Sequence, residues 1–200
     1  MVARRHVWRS ATFVGVVSLA LLAAAAAPAR AGEFTGDINF VLGQKFLNDG
    51  DWEPVETQPG GIVEMTWGDS DWPISLATDI AYSSGSDNTS SLDVDGSTAE
   101  FAIGVREIRN TGDFHYYVGL GFNMLRAEAK VKSSGSHDED QDTGVGGWGG
   151  AGIFWRMGSR FNVGLSARYS RTEVTLFDEN VQAGGFSYGL LVGWGWPASQ

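Results

Sequence analysis

Cysteine is absent from this 200-residue chain, so it can hold no disulfide scaffold, thiol nucleophile or cysteine-ligated zinc or iron–sulfur site. Positive charge is in short supply. Fourteen Lys and Arg face 24 Asp and Glu, for a formal charge of −10, and such a chain lacks the basic footprint that nucleic-acid binding requires. Histidine occurs only three times. A collagen period is missing despite 28 glycines. After the first thirty residues no stretch is long and apolar enough for a membrane-spanning helix. What is present is a hydrophobic content of 42% with 12% aromatics, too rich for a disordered chain, in a length that suits about one domain. The excess of glycine and tryptophan in an acidic chain is the feature to be explained.

The N-terminus reads as an export signal. Arg4, Arg5 and Arg9 precede the uncharged run Ala11–Ala27, which ends in Pro28-Ala29-Arg30-Ala31, a small-residue cleavage site. Residues 1–31 are therefore expected to be a signal peptide for the general secretory route, and residues 32–200 the mature domain. Cleavage removes four arginines and no acid, which takes the charge from −10 to −14.

The mature chain alternates with period two throughout. In GFSYGLLVGWGW one face reads Phe186, Tyr188, Leu190, Val192, Trp194, Trp196, and the other Ser187, Gly189, Leu191, Gly193, Gly195. Comparable faces start at Ala99, Phe114 and Phe161, and recur in TGDINFVLGQKF, GGIVEMTWGD, PISLATDIAYS and VGGWGGAGIFWRM. These are eight strands. Short turns around 69–72, 110–113 and 158–160 alternate with long polar loops around 48–60, 84–97, 133–144 and 177–184. Strict alternation of this kind predicts an eight-stranded antiparallel up-and-down barrel.

The two faces say which solvent surrounds that barrel. One is bulky and aromatic; the other is glycine, serine, alanine and asparagine, with Lys45, Glu64, Asp79, Glu100, Arg106 and Arg168. A soluble barrel would have to present the glycine-rich face to water. A membrane barrel puts the bulky face into lipid and fills a narrow lumen with small residues and paired charges. The six charged residues are expected to form an ion-pair network that plugs the lumen, because buried charges must be paired. Aromatics gather toward both strand ends, as membrane interfaces favour.

The long loops hold most of the acid, including Asp93-Val94-Asp95-Gly96 and Asp138-Glu139-Asp140-Gln141-Asp142. Aligned on Gly96, the first has Ser91 and Ala102 where a calcium loop needs acids, and the second has no ligand spacing, so neither is assigned a metal. Just above the outer aromatics, the lipid-facing parity continues into Arg126, Glu128, Lys130 and Lys132 on one strand and Arg171 and Glu173 on another. Arg126, Lys130, Lys132 and Arg171 sit at the height of lipopolysaccharide phosphates, where charge-assisted contacts are favourable. A solvated extension with internal Glu–Lys and Glu–Arg pairs is the other reading. No catalytic constellation emerges: of the two mature histidines, His115 falls at the inner rim and His137 in an acidic loop without an orienting partner. No cofactor is expected.

The segment Ser187-Tyr188-Gly189-Leu190-Leu191-Val192-Gly193-Trp194 fits the closing-strand signal of small outer-membrane barrels, with Ser187, Gly189, Val192 and Trp194 at its polar, glycine, hydrophobic and aromatic positions. Through it and the architecture, the mature chain resembles the outer-membrane β-barrel family related to the OmpA transmembrane domain, OmpX and OmpW. Such chains usually stop at the aromatic residue, whereas this one continues to Gln200. The resemblance implies an integral outer-membrane protein of a Gram-negative-type bacterium, with long loops extracellular and termini periplasmic. It implies outer-membrane lipid and lipopolysaccharide as surroundings. It also implies periplasmic chaperones and the barrel-assembly machinery as partners during biogenesis. A monomeric, non-enzymatic barrel with a structural or surface role is expected; a narrow OmpW-like channel and a lipid A-modifying enzyme are the alternatives.

Overall fold

The computed structural model describes residues 33–47, 50–89, 92–133, 136–158 and 160–196; the expected signal peptide, 1–31, lies outside them. The elements are β1 (Phe34–Leu47), a 3-10 turn (Gly50–Trp52), β2 (Thr57–Asp69), β3 (Ser75–Thr89), β4 (Leu92–Thr111), β5 (Phe114–Ser133), β6 (Ser136–Met157), β7 (Phe161–Leu176), β8 (Glu179–Gln182) and β9 (Gly185–Trp196). Consecutive strands β1 to β7 pair antiparallel, β9 pairs with β7, and β1 pairs with β9, which closes a ring of eight. The short β8 pairs only with the top of β7. Closure satisfies the backbone groups of every strand internally, the condition for crossing lipid.

The register fixes the shape. Partners followed round the ring run Asp37, Thr66, Ala77, Gly104, Gly121, Trp148, Ser170, Gly185 and back to β1 at Leu47, ten residues beyond the start. Eight strands with this stagger tilt by about 40° and leave an interior only wide enough for side chains. That narrowness accounts for the inward glycines. Gly104 and Gly121 face each other across β4 and β5, and a Cβ on Gly104 would stand 2.8 Å from the Cα of Gly121. At the short turns, Gly112 and Gly158 adopt φ of +63° and +61°, the left-handed region that glycine enters without strain.

The fold is inside-out in its lower part and conventional above. On β5 the inward residues His115, Tyr117, Gly119, Gly121 and Asn123 are polar or small, and the outward Val118, Leu120 and Phe122 are 57%, 65% and 74% exposed. Beyond Met124 the polarity exchanges. Leu125 and Ala127 point inward and are fully buried, while Arg126, Glu128 and Lys130 point outward. The same exchange occurs on β7, where Ser166, Arg168 and Ser170 inside give way to Val174 and Leu176. Above it, Leu47, Trp52, Val55, Leu125, Ala127, Val174, Leu176, Val181 and Ala183 form one apolar cluster.

Of the four regions expected as long loops, 84–97 and 133–144 are therefore largely strand, 177–184 holds the short β8, and in 48–60 β2 begins only at Thr57. β3 and β4 pair as far as Thr89↔Leu92, β5 and β6 as far as Ser133↔Ser136, and β7 reaches Leu176 before turning into β8. The Asp, Ser and Gly content suggested loops, but a strand that has left lipid needs polar residues outside. Cross-strand partners such as Asp95↔Lys130 and Lys130↔Glu139 suit the ladder there. The β7–β8 turn places Phe177 and Asp178 at φ of +50° and +67°, a two-residue hairpin geometry that usually calls on Asn and Gly.

Replacing Gly104 with Val should overpack the wall against Gly121 and cost about 1–3 kcal/mol. The expected readout is a smaller fraction of heat-modifiable, folded protein on a denaturing gel after refolding in detergent.

Candidate functional site

The lumen is built in tiers by inward residues of all eight barrel strands. Nearest the short turns, Arg156 pairs with Asp37, its Nε donates to Asn162 Oδ1 at 2.9 Å, and Asn162 Nδ2 donates to Asn39 Oδ1 at 3.0 Å. His115 stacks on Phe154 at 4.8 Å between ring centres, and its Nδ1 lies 3.1 Å from the Asp113 carbonyl oxygen.

The middle tier holds most of the charge. Arg106 Nη2 donates to both oxygens of Asp79 at 3.1 Å, and Arg168 donates to Asp79 at 2.5 Å and to Glu100 at 2.6 Å. Glu64 lies 4.0 Å from Arg106 and accepts from Tyr117 at 2.7 Å and Ser166 at 2.6 Å. All five charged side chains are buried. Trp148 lies beneath both guanidinium groups, at 5.9 Å from Arg106 and 4.3 Å from Arg168, so each cation also faces an aromatic ring.

The upper polar tier is uncharged apart from Lys45. Its ammonium donates to Thr98 Oγ1 at 2.8 Å and the Ala183 carbonyl at 3.2 Å, and no ion pair joins it to Glu64, Asp79 or Glu100. Ser83 Oγ donates to Gln58 Oε1 at 2.7 Å.

The structure thus brings Glu64, Asp79, Glu100, Arg106 and Arg168 into one cluster and leaves Lys45 above it on neutral partners. Asp37, Arg156, Tyr117 and Trp148 were not singled out from sequence. A parity signal existed for Asp37, which shares the odd positions of β1 with Lys45, and for Trp148, which stands opposite in phase to the outward Trp155.

Over the polar tiers sits the apolar cluster. The β1–β2 connection turns inward, so that Trp52 is buried and its Nε1 donates to the Gln182 carbonyl at 3.1 Å. The β7–β8 hairpin is held from the β6 side by side chains: Asp142 accepts from the Thr175 N–H at 2.8 Å and Asp140 from the Phe177 N–H at 2.6 Å. Aspartates expected in a long acidic loop therefore stand in for ladder partners where β6 and β7 have stopped pairing.

On the outer surface Lys130 contacts Glu128 at 2.6 Å and Glu139 at 3.4 Å, and the adjacent carboxylates hold its ammonium above the usual lysine range. Arg126 donates to Gln141. Arg171 is exposed and makes no hydrogen bond or ion pair with a described residue. Lys132 stands opposite Asp93 and His137 in the register. Of the closing-strand residues, Ser187 and Gly189 lie on the inward face of β9, and Val192 and Trp194 on the outward face, 40% and 51% exposed.

Aromatic pairs mark both rims. Phe114 meets Trp155 and Phe161 meets Trp194 near the short turns, whereas Phe46 stacks on Tyr188 toward the long hairpins. A closed strand ring with an apolar belt between two aromatic girdles is the architecture of an outer-membrane barrel, and the family model for the outer membrane protein beta-barrel domain matches residues 15–193. The chain belongs to that family. Among solved structures, Ail, the attachment invasion locus protein of Yersinia pestis, is 18% identical with a TM-score of 0.54, over 84% of this chain and all of Ail. A major outer membrane protein of Thermus thermophilus is 6% identical with a TM-score of 0.57, over 81% of this chain and 98% of that one. These likenesses establish the fold. No curated protein matches the chain. As a member of this outer membrane β-barrel family, the protein is an outer-membrane protein.

Asp79 bridges both central arginines, so Asp79→Ala should leave two buried guanidinium groups short of a counter-ion and cost about 3–5 kcal/mol. Urea unfolding of the refolded barrel, followed by tryptophan fluorescence, should show a lower midpoint than the wild type. Lys130→Ala, at a half-exposed surface pair, should move it little.

Proposed function

We propose that this outer-membrane barrel is non-enzymatic, has a closed lumen, and acts as a structural and surface component through its extracellular hairpins. The observation that carries the reading is the continuous filling of the interior, from the Asp37–Arg156 pair through the Asp79 cluster to the apolar cap around Trp52. Ions and solutes would have to break buried charge pairs and then displace an apolar layer, both costly steps. The central carboxylates are taken up by arginine, tyrosine and serine partners, which leaves them poorly suited to general acid–base work.

Residues 1–31 act as the cleaved signal peptide, the short turns and both mature termini face the periplasm, and the long hairpins face outward. Ser187, Gly189, Val192 and Trp194 form the assembly signal of β9, the strand that closes on β1. The mature protein is a monomer. Arg126, Lys130, Lys132 and Arg171 supply contacts to lipopolysaccharide headgroups; Arg126 and Lys130 also have partners within the chain, and Arg171 has none among the described residues. The relative Ail was solved with a heparin analogue, but the outward hairpins here carry Asp87, Asp93, Asp95, Asp138 and Glu139, a surface that repels polysulfated chains.

Three measurements test this reading. In planar bilayers the purified barrel should give no sustained single-channel steps, and reproducible conductance would replace the closed barrel with a channel. N-terminal sequencing of protein from isolated outer membranes should begin at Gly32. The combined change Arg126→Ala, Lys130→Ala and Arg171→Ala should reduce co-purifying lipopolysaccharide several-fold, whereas unchanged retention rejects the headgroup contacts.

A further inference from the structure

Apart from the turn glycines Gly112 and Gly158, the glycines of this barrel differ by the face they occupy. Those facing the lumen are required by packing, as at Gly104 and Gly121. Gly147 and Gly149 on β6 are different. Both face outward, their φ values are not positive, and an added Cβ would meet nothing closer than 3.6 Å and 3.8 Å respectively. Neither turn geometry nor close backbone approach calls for glycine there, and glycine inside a strand weakens it.

Their neighbours supply what the fold does not. Across the ladder, Gly147 lies between Phe122 of β5 and Arg171 of β7, Gly149 between Leu120 and Tyr169, and Ala151 between Val118 and Ala167. Phe122, Leu120 and Tyr169 project outward, 74%, 65% and 47% exposed. The result is a trough one strand wide, with a floor of Gly147, Gly149 and Ala151. Its walls stand about 10 Å apart, twice the strand spacing. Below, it runs into an apolar depression lined by Val118, Ala151, Ile153, Leu165, Ala167 and Tyr188. Above, it ends at Arg171, with Arg126 two strands away on β5. Between apolar surfaces in a bilayer no hydrophobic driving force acts, so shape and dispersion decide the fit.

From this juxtaposition of an apolar trough and a cationic end, we infer that β5–β7 hold one lipopolysaccharide molecule as a fixed neighbour. An acyl chain lies on Gly147, Gly149 and Ala151, and the headgroup phosphates are set against Arg171 and, four residues further along the wall, Arg126. The cations determine the occupant, because a neutral lipid or the apolar face of a second barrel would leave Arg171 without a counter-charge. The inference rests on the orientation and headgroup contacts proposed above and adds the acyl site beneath them.

The test compares wild-type barrel, Gly147→Leu with Gly149→Leu, Arg126→Gln with Arg171→Gln, and Leu42→Phe on the outward face of β1, each purified from outer membranes. Heat-modifiable migration verifies folding, and native mass spectrometry reads the bound lipid. The expected result is a lipopolysaccharide adduct on the wild type and the Leu42 variant, lost from both the filled trough and the arginine variant. If the filled trough keeps the adduct while the arginine variant loses it, the headgroup contacts stand and the acyl site falls. If the wild type carries no such adduct, both fall. A glycerophospholipid adduct instead, or a dimer abolished by filling the trough, also overturns the inference. Should Leu at both positions impair folding, Gly147→Val alone, which adds less volume to the same floor, gives the same comparison.

Discussion

A backbone amide in hydrocarbon has no water to turn to, and this requirement governs the rest of the molecule. It excludes a sheet with free edges, so β9 must find β1, and the ring closes at eight strands with a ten-residue stagger. Closure at that size leaves little room inside the wall, and where neighbouring strands approach as closely as at Gly104–Gly121 glycine stands on both sides. The glycine excess of the sequence is in this sense a product of hydrogen bonding, transmitted through barrel circumference to side-chain volume.

The charges inside follow from the same geometry. With lipid outside, polar atoms that cross the wall have only one another, and the lumen resolves this by letting single carboxylates serve several donors. Asp79 holds two arginines, and Glu64 serves Arg106, Tyr117 and Ser166. Trp148 contributes its ring face where the supply of anions ends. Such an interior gains little net stability over an apolar one but tolerates few alternative registers, since a slip of one residue would carry every charge into lipid.

Fold class and strand count were legible in the sequence because period-two alternation survives along each membrane segment, and short turns alternate with long polar stretches along the chain. Much of the charged cluster was legible too, since Glu64, Asp79, Glu100, Arg106 and Arg168 share the small-residue parity of their strands. Less visible were contacts that depend on three-dimensional closure. Arg156 and Asp37 are 119 residues apart in the chain and meet only because β6 and β1 curve round a common axis. Trp52 belongs to a connection that no periodicity describes, and its burial depends on a mouth walled by β5, β7 and β8. The outer hairpins read as loops because composition reports the solvent a residue faces, and a solvated strand has the composition of a loop.

The exchange of polarity at Met124 on β5, repeated on β7, has a mechanical meaning. An ordinary amphipathic strand resists rotation about its own axis but is indifferent to sliding along it. Here the two faces trade character at one level, so vertical displacement of the barrel brings arginine and glutamate into hydrocarbon on one side of that level or strands phenylalanine and leucine in water on the other. The protein is thereby pinned at a set depth, like a float with a ballast line written into the wall. The hairpins above that line stand at a fixed height from the membrane without any anchor of their own.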